Sequence, residues 1–120
     1  MKKYIYSIFT ALLFISCSDI IEVPDISKDT VNLVAPSDNA TLNITTLTLS
    51  WEAVEDAENY QVRVARPDFE NILQVELDTT LTENSISVQL EAGNSYQWRV
   101  RAINSEYTTP YTTYTFTLEE

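Results

Sequence analysis

Leu90-Glu91-Ala92-Gly93-Asn94-Ser95-Tyr96-Gln97-Trp98-Arg99-Val100-Arg101-Ala102-Ile103-Asn104 is the stretch that decides the fold. From Tyr96 onward large apolar residues alternate with polar ones: Tyr96, Trp98, Val100 and Ala102 against Gln97, Arg99 and Arg101. A period of two places these sets on opposite faces of a strand, one for a core and one for solvent. Just before it stands Gly93, the only glycine in the chain. A single glycine at the entrance to a strand points to a turn conformation that residues with a Cβ resist.

The same period continues to either side, in short runs separated by turn-forming residues. Seven strands are expected, at 31–35, 47–51, 59–65, 72–77, 85–90, 95–103 and 111–118, and no run has helical periodicity. The inward sets besides the one above are Leu47, Leu49 and Trp51; Tyr60, Val62 and Val64; Val75 and Leu77; Ile86, Val88 and Leu90; and Tyr114, Phe116 and Leu118. Short strands at this spacing argue for two packed antiparallel sheets. Each large side chain buried contributes roughly 1.5 to 3 kcal/mol. The chain's one cysteine excludes an internal disulfide, so apolar packing must carry the stability.

These residues resemble a known family, the fibronectin type III domain, across 31–118. Pro36-Ser37-Asp38-Asn39-Ala40 resembles the opening turn of bacterial members, and Leu47-Thr48-Leu49-Ser50-Trp51 the second strand with its core tryptophan. Asp56-Ala57-Glu58-Asn59-Tyr60-Gln61-Val62-Arg63-Val64 is similar to the turn and third strand. The resemblance implies an all-β, seven-stranded immunoglobulin-like sandwich. It also implies a tyrosine corner in which the Tyr96 hydroxyl bonds back to the chain a few residues upstream. Trp98 departs from the family, which has an aliphatic residue there.

At the start of the chain, Lys2 and Lys3 precede an apolar stretch, 5–15, that ends in Ser16 and Cys17. About 11 apolar residues fall short of the ~20 that cross a bilayer as a helix, and the layout is that of a secretory signal. Phe14-Ile15-Ser16-Cys17 resembles the lipid-attachment box of bacterial lipoproteins, with Phe14 in place of the usual Leu. The resemblance implies a signal peptide at 1–16, removed on export, and lipid attachment at Cys17. Residues 17–30 then read as a short flexible tether and 31–120 as the single domain. Acidic residues soon after the cysteine, Asp19 and Glu22, resemble loosely the surface-export signal of some Bacteroidetes. The expected location is a bacterial cell envelope, lipid-anchored at the outer membrane and exposed at its surface.

Charge narrows the partners. With 7 basic and 18 acidic residues the chain carries a net charge of -11, and loss of Lys2 and Lys3 takes it to -13. Such a domain is repelled by nucleic acid and by anionic headgroups. Histidine is absent and no glycine-rich loop exists, so neither catalysis nor a cofactor is expected. Glu55, Asp56 and Glu58 crowd one loop without calcium-loop spacing, so no metal is expected.

The outward residues are uneven. All four arginines lie on or beside two strands, Arg63 and Arg66 near the third, Arg99 and Arg101 on the sixth. Arg63, Arg99 and Arg101 make a candidate binding face for an anionic glycan or a protein carboxylate, through guanidinium fork geometry. The structural alternative is cross-strand pairing with Glu76, Asp78 or other acids, with the stems covering apolar surface. Two functions remain. One is an envelope module for protein contact or spacing. The other is a glycan-binding lipoprotein that uses Tyr107, Tyr111 and Phe69, the rings outside the strand pattern, as stacking platforms. The family topology also places the first strand's start beside the loops after the second, fourth and sixth strands, so a short tether would turn that end toward the membrane.

Overall fold

The computed structural model describes residues 22–120. The signal peptide expected at 1–16 and the expected lipid-attachment residue, Cys17, lie outside the described residues. The chain forms β1 (Leu33–Ala35), β2 (Ala40–Leu42), β3 (Thr46–Trp51), β4 (Asn59–Arg66), β5 (Gln74–Leu81), β6 (Ser85–Gln89), β7 (Asn94–Ile103) and β8 (Thr112–Leu118). They make two sheets, β1-β3-β6 and β2-β8-β7-β4-β5. No helix among the described residues is long and apolar enough to cross a membrane.

The core follows the alternation. Leu47, Leu49 and Trp51 from the smaller sheet meet Tyr60, Val62, Val64, Tyr96, Trp98, Val100, Ala102, Phe116 and Leu118 from the larger. Trp51 sits edge-on to Tyr60 at 5.7 Å and tilts against Trp98 at 6.4 Å, while Tyr96 stacks on Phe116 at 5.5 Å. Trp98 fits by meeting Tyr114 edge-to-face at 6.3 Å. Such ring pairs add about 0.5 to 1.5 kcal/mol beyond the area they bury. The indole N–H groups of Trp51 and Trp98 are buried without a partner, so their contribution is packing alone.

The tyrosine corner forms as expected. Tyr96 donates its hydroxyl to the Glu91 carbonyl at 2.8 Å and accepts the Glu91 N–H at 3.1 Å. Gly93, at φ 85°, supplies the left-handed turn and donates its N–H to Leu118 at 2.6 Å.

Three expectations need correction. The first strand, expected at 31–35, is shorter, at Leu33–Ala35, and a strand that was not expected follows at Ala40–Leu42, so there are eight strands rather than seven. After β1 pairs with β3, Asn39 turns the chain in a left-handed conformation at φ 65°, and Asp38 caps the Thr115 N–H at 2.9 Å. β2 then runs parallel to β8 in the other sheet.

The second correction concerns the strand expected at 72–77, which lies at Gln74–Leu81 instead. Val64 faces Leu77 while Ala65 faces Val75, so an extra residue bulges at Glu76 and carries Val75 off the inner face. Val75 is 43% exposed, and Leu77 and Leu81 take the inward places. The apolar pair Ile72 and Leu73, which invited the early start, lies exposed in the preceding loop.

The third is the tether. Ile26 is 1% exposed and joins the core with Val31. A turn, Asp29 N–H to the Ile26 carbonyl at 2.9 Å, seats it. Within the stretch expected to be flexible, Ile26 is therefore packed while Pro24, Asp25, Lys28, Asp29 and Thr30 stay exposed, and the core reaches upstream of residue 31 through that one side chain.

Candidate functional site

Alternation on β4 and β7 puts Gln61 and Arg63 beside Gln97, Arg99 and Arg101 on the outer face of the larger sheet. The register sets them in rows: Asp78, Arg63, Arg99 and Thr113 in one, Thr80, Gln61 and Arg101 in the next. Cross-strand pairing thus brings the three arginines of the candidate face together.

Their partners differ. Arg63 Nε lies 3.3 Å from Asp78 Oδ2, close enough for an ion pair but without hydrogen-bond geometry. Arg101 donates from Nε and Nη2 to the Gln61 side-chain oxygen at 3.0 and 2.7 Å, and Gln61 passes its own N–H to Asp78 at 3.1 Å. Arg66, off this cluster, pairs loosely with Glu76 at 3.6 Å and Glu91 at 3.7 Å. Arg99 has no acidic partner among the described residues, and its Nε is buried without a hydrogen bond.

What Arg99 has instead is aromatic. Its guanidinium carbon lies 4.0 Å from the Phe69 ring centre and 4.2 Å from that of Tyr111. Arg63 approaches the same Phe69 ring at 5.4 Å and Arg101 the same Tyr111 ring at 4.9 Å. The result is an alternation of cations and rings across the sheet. Each contact is worth about 0.5 to 1 kcal/mol at an exposed site and more where water is excluded. Burial, then the neighbouring Arg63 guanidinium, holds the Arg99 pKa below the usual arginine value.

The loops carrying the rings are pinned to β7. Gln97 accepts the Phe69 N–H at 2.9 Å. Thr109 Oγ1 accepts the Ala102 N–H and donates to the Pro110 carbonyl, both at 2.9 Å, just ahead of Tyr111. Asp68, Phe69, Glu70, Gln97, Arg99 and Thr113 line a groove of about 390 Å³ over this spot. Sequence reasoning named the arginines and these two rings separately. Cross-strand register and the conformations of two loops join them.

The rings expected as sugar platforms are otherwise engaged. Phe69 and Tyr111 each carry two guanidinium groups. Tyr107 packs against the core. Among the described residues no three acidic, cysteine or histidine side chains converge on a metal position.

At the end where the chain enters the sandwich, one buried residue, Asn104, joins three segments. Its side-chain N–H groups reach the Pro24 carbonyl at 2.9 Å and the Asp56 carbonyl at 3.3 Å. Its oxygen accepts the N–H groups of Glu106 at 3.0 Å and Tyr107 at 2.9 Å. The lead-in and the loops after β3 and β7 therefore share one end. Sequence reasoning missed this residue, whose partners are distant along the chain.

Two packed sheets, antiparallel except where β2 joins β8, and the tyrosine corner define the class, and the comparisons agree. The profile of the fibronectin type III domain matches residues 35–118, and the chain belongs to that family. The family is a non-catalytic scaffold. The chain is similar to the fn3 domain of the human collagen alpha-1(XX) chain, at 17% identity and TM-score 0.58, over 78% of this chain and 90% of that one. It is also similar to the FN1–FN3 domains of chicken CNTN1, at 17% identity and TM-score 0.59, over 95% of this chain and 34% of that one. A third similarity is to an Fn3-like protein from Clostridium thermocellum, at 17% identity and TM-score 0.52, over 78% and 96% of the two chains. No curated protein sequence matches the chain. At these identities the solved structures speak for the fold alone.

Proposed function

We propose that the chain is a cell-envelope lipoprotein presenting one fibronectin type III module, at a bacterial membrane surface, for protein contact and spacing. The family match supports the module, and the observation that supports its role as a spacer is the seating of the lead-in. Ile26 is buried and Pro24 is held by Asn104, which leaves 17–23 as the span between the lipid-attachment cysteine Cys17 and the sandwich. If flexible, so short a span reaches on the order of 15 Å. The Asn104 end would then face the membrane, and the arginine face would stand to the side, open to neighbouring envelope proteins. Durable anchoring needs more than one acyl chain, as lipoprotein processing supplies.

Detergent phase partitioning tests the anchor. The native protein goes to the detergent phase and Cys17→Ser to the aqueous phase; identical partitioning of the two contradicts the reading. Crosslinking in intact envelopes tests the contact role, with a discrete protein adduct expected. The alternative, a glycan-binding lipoprotein, needs free ring faces, and Phe69 and Tyr111 already serve arginine while Tyr107 serves the core.

A further inference from the structure

Arg99 is held in place yet left without a counter-charge. Its neighbours have found partners: Asp78 for Arg63, Gln61 for Arg101. An acidic chain has carboxylates to spare, and none among the described residues pairs with Arg99. The rings that fix the guanidinium sit on loops tied to β7 through Gln97 and Thr109, so little ordering is left for a ligand to impose.

Resting on the interaction-module reading above, we propose that Arg99, between Phe69 and Tyr111, receives a carboxylate from an acidic segment of a partner protein. Arg63 and Arg101 flank it and add their field. Guanidinium donors match the two oxygens of a carboxylate in a fork geometry that ammonium cannot reproduce. The lowered pKa of Arg99 is consistent, since burial and the nearby Arg63 make its charge unfavourable in the free protein, and an incoming anion relieves that.

Competing ligands fit less well. Asp68 and Glu70 share the groove, and although Asp68 Oδ1 accepts the N–H groups of Glu70 and Asn71 at 3.0 and 2.7 Å, its charge still opposes a dianion. That favours a single carboxylate over phosphate. A sugar acid would bring a ring to stack, and both rings are already in contact with guanidinium groups. A protein carboxylate asks only for the donors that remain.

The test is NMR of the full chain in zwitterionic detergent, following the Arg99 Nε–Hε signal and the ring protons of Phe69 and Tyr111. The probe is a blocked Gly-Glu-Gly-Glu-Gly peptide, compared at matched ionic strength with its Gln counterpart, sodium phosphate and sodium glucuronate. The expected result is a saturable shift with the Glu peptide alone, weakened about tenfold in Arg99→Lys, where charge stays but the fork is lost. Tyr111→Leu, which leaves Arg99 in place, also weakens it, and this second variant serves if Arg99→Lys does not fold. Equal shifts from the Glu and Gln peptides overturn the site. Saturation by phosphate or glucuronate at lower concentration reassigns it to a headgroup or a glycan, against the proposal. Self-association that disappears in Arg99→Gln reassigns the face to a second copy of this chain. A crosslinked envelope partner without peptide binding removes the carboxylate site and leaves the interaction module standing.

Discussion

The two faces of β4 and β7 are built from alternate residues of the same strands and follow opposite rules. On the inner face the buried Trp98 meets the buried Trp51 and the half-buried Tyr114, and Val62, Val64 and Val100, all fully buried, fill what remains. On the outer face, one residue along, Arg63 and Arg99 stand directly opposite each other, a like-charge pair that costs free energy unless something compensates. Phe69 and Tyr111 provide part of that compensation through their ring faces. The inner face is a device for stability. The outer face concentrates positive charge on an acidic domain, which stability alone does not call for.

Substitutions should separate the two. Trp98→Ala empties the centre of the core and is expected to cost about 3 to 5 kcal/mol, read from the urea midpoint. Ile26→Ala sharpens the contrast by asking whether the lead-in belongs to the inner layer. A loss of about 2 to 5 kcal/mol is expected if it does, against almost none for a flexible tether. Tyr96→Phe keeps the ring and removes the corner, leaving the Glu91 backbone groups short of a partner, with an expected cost of about 1 to 3 kcal/mol.

Arg99→Gln should shift stability by no more than about 1 kcal/mol, because lost ring contacts of about 0.5 to 1 kcal/mol each are offset by relief of burial and like-charge repulsion. The smallest effect belongs to Asp25, whose carboxylate is held below the usual aspartate range by hydrogen bonds from the Ser27 hydroxyl and N–H. A lowered carboxylate pKa contributes stability above the unfolded aspartate value and loses it as pH falls through the folded one. The acid limb of the stability curve should therefore be slightly shallower in Asp25→Asn.

Both faces were legible in the sequence to different depths. Period two gave the inner residues of β3, β4, β7 and β8, because a strand's alternation is local and a single core face fixes its phase. The tyrosine corner was anticipated through the family resemblance of the stretch from Leu90 to Tyr96, not from periodicity. Val75 was misplaced because the bulge at Glu76 shifts the phase without leaving a mark in the pattern. The strand at Ala40–Leu42 was missed because it is three residues long and defined by its pairing with the distant β8, which no local signal reports. Asn104 was missed for a related reason. Its partners Pro24 and Asp56 lie 80 and 48 residues away, and an asparagine closing a strand reads as an ordinary turn residue.

The arginines and the loop rings were visible one by one, whereas their alternation needed cross-strand register and two loop conformations. Polar sites assembled from several segments are the part of this fold that periodicity cannot reach.

The most direct test of the claim that the outer face serves a partner rather than the fold is the urea midpoint of the wild-type and Arg99→Gln chains, with and without saturating Gly-Glu-Gly-Glu-Gly peptide. A ligand that binds only the native state raises the midpoint, by an amount that grows with the logarithm of its free concentration over its Kd. The account predicts nearly equal midpoints without peptide and a rise with peptide in the wild type alone. An Arg99→Gln midpoint as low as that of Trp98→Ala, with neither chain responding to peptide, would contradict it.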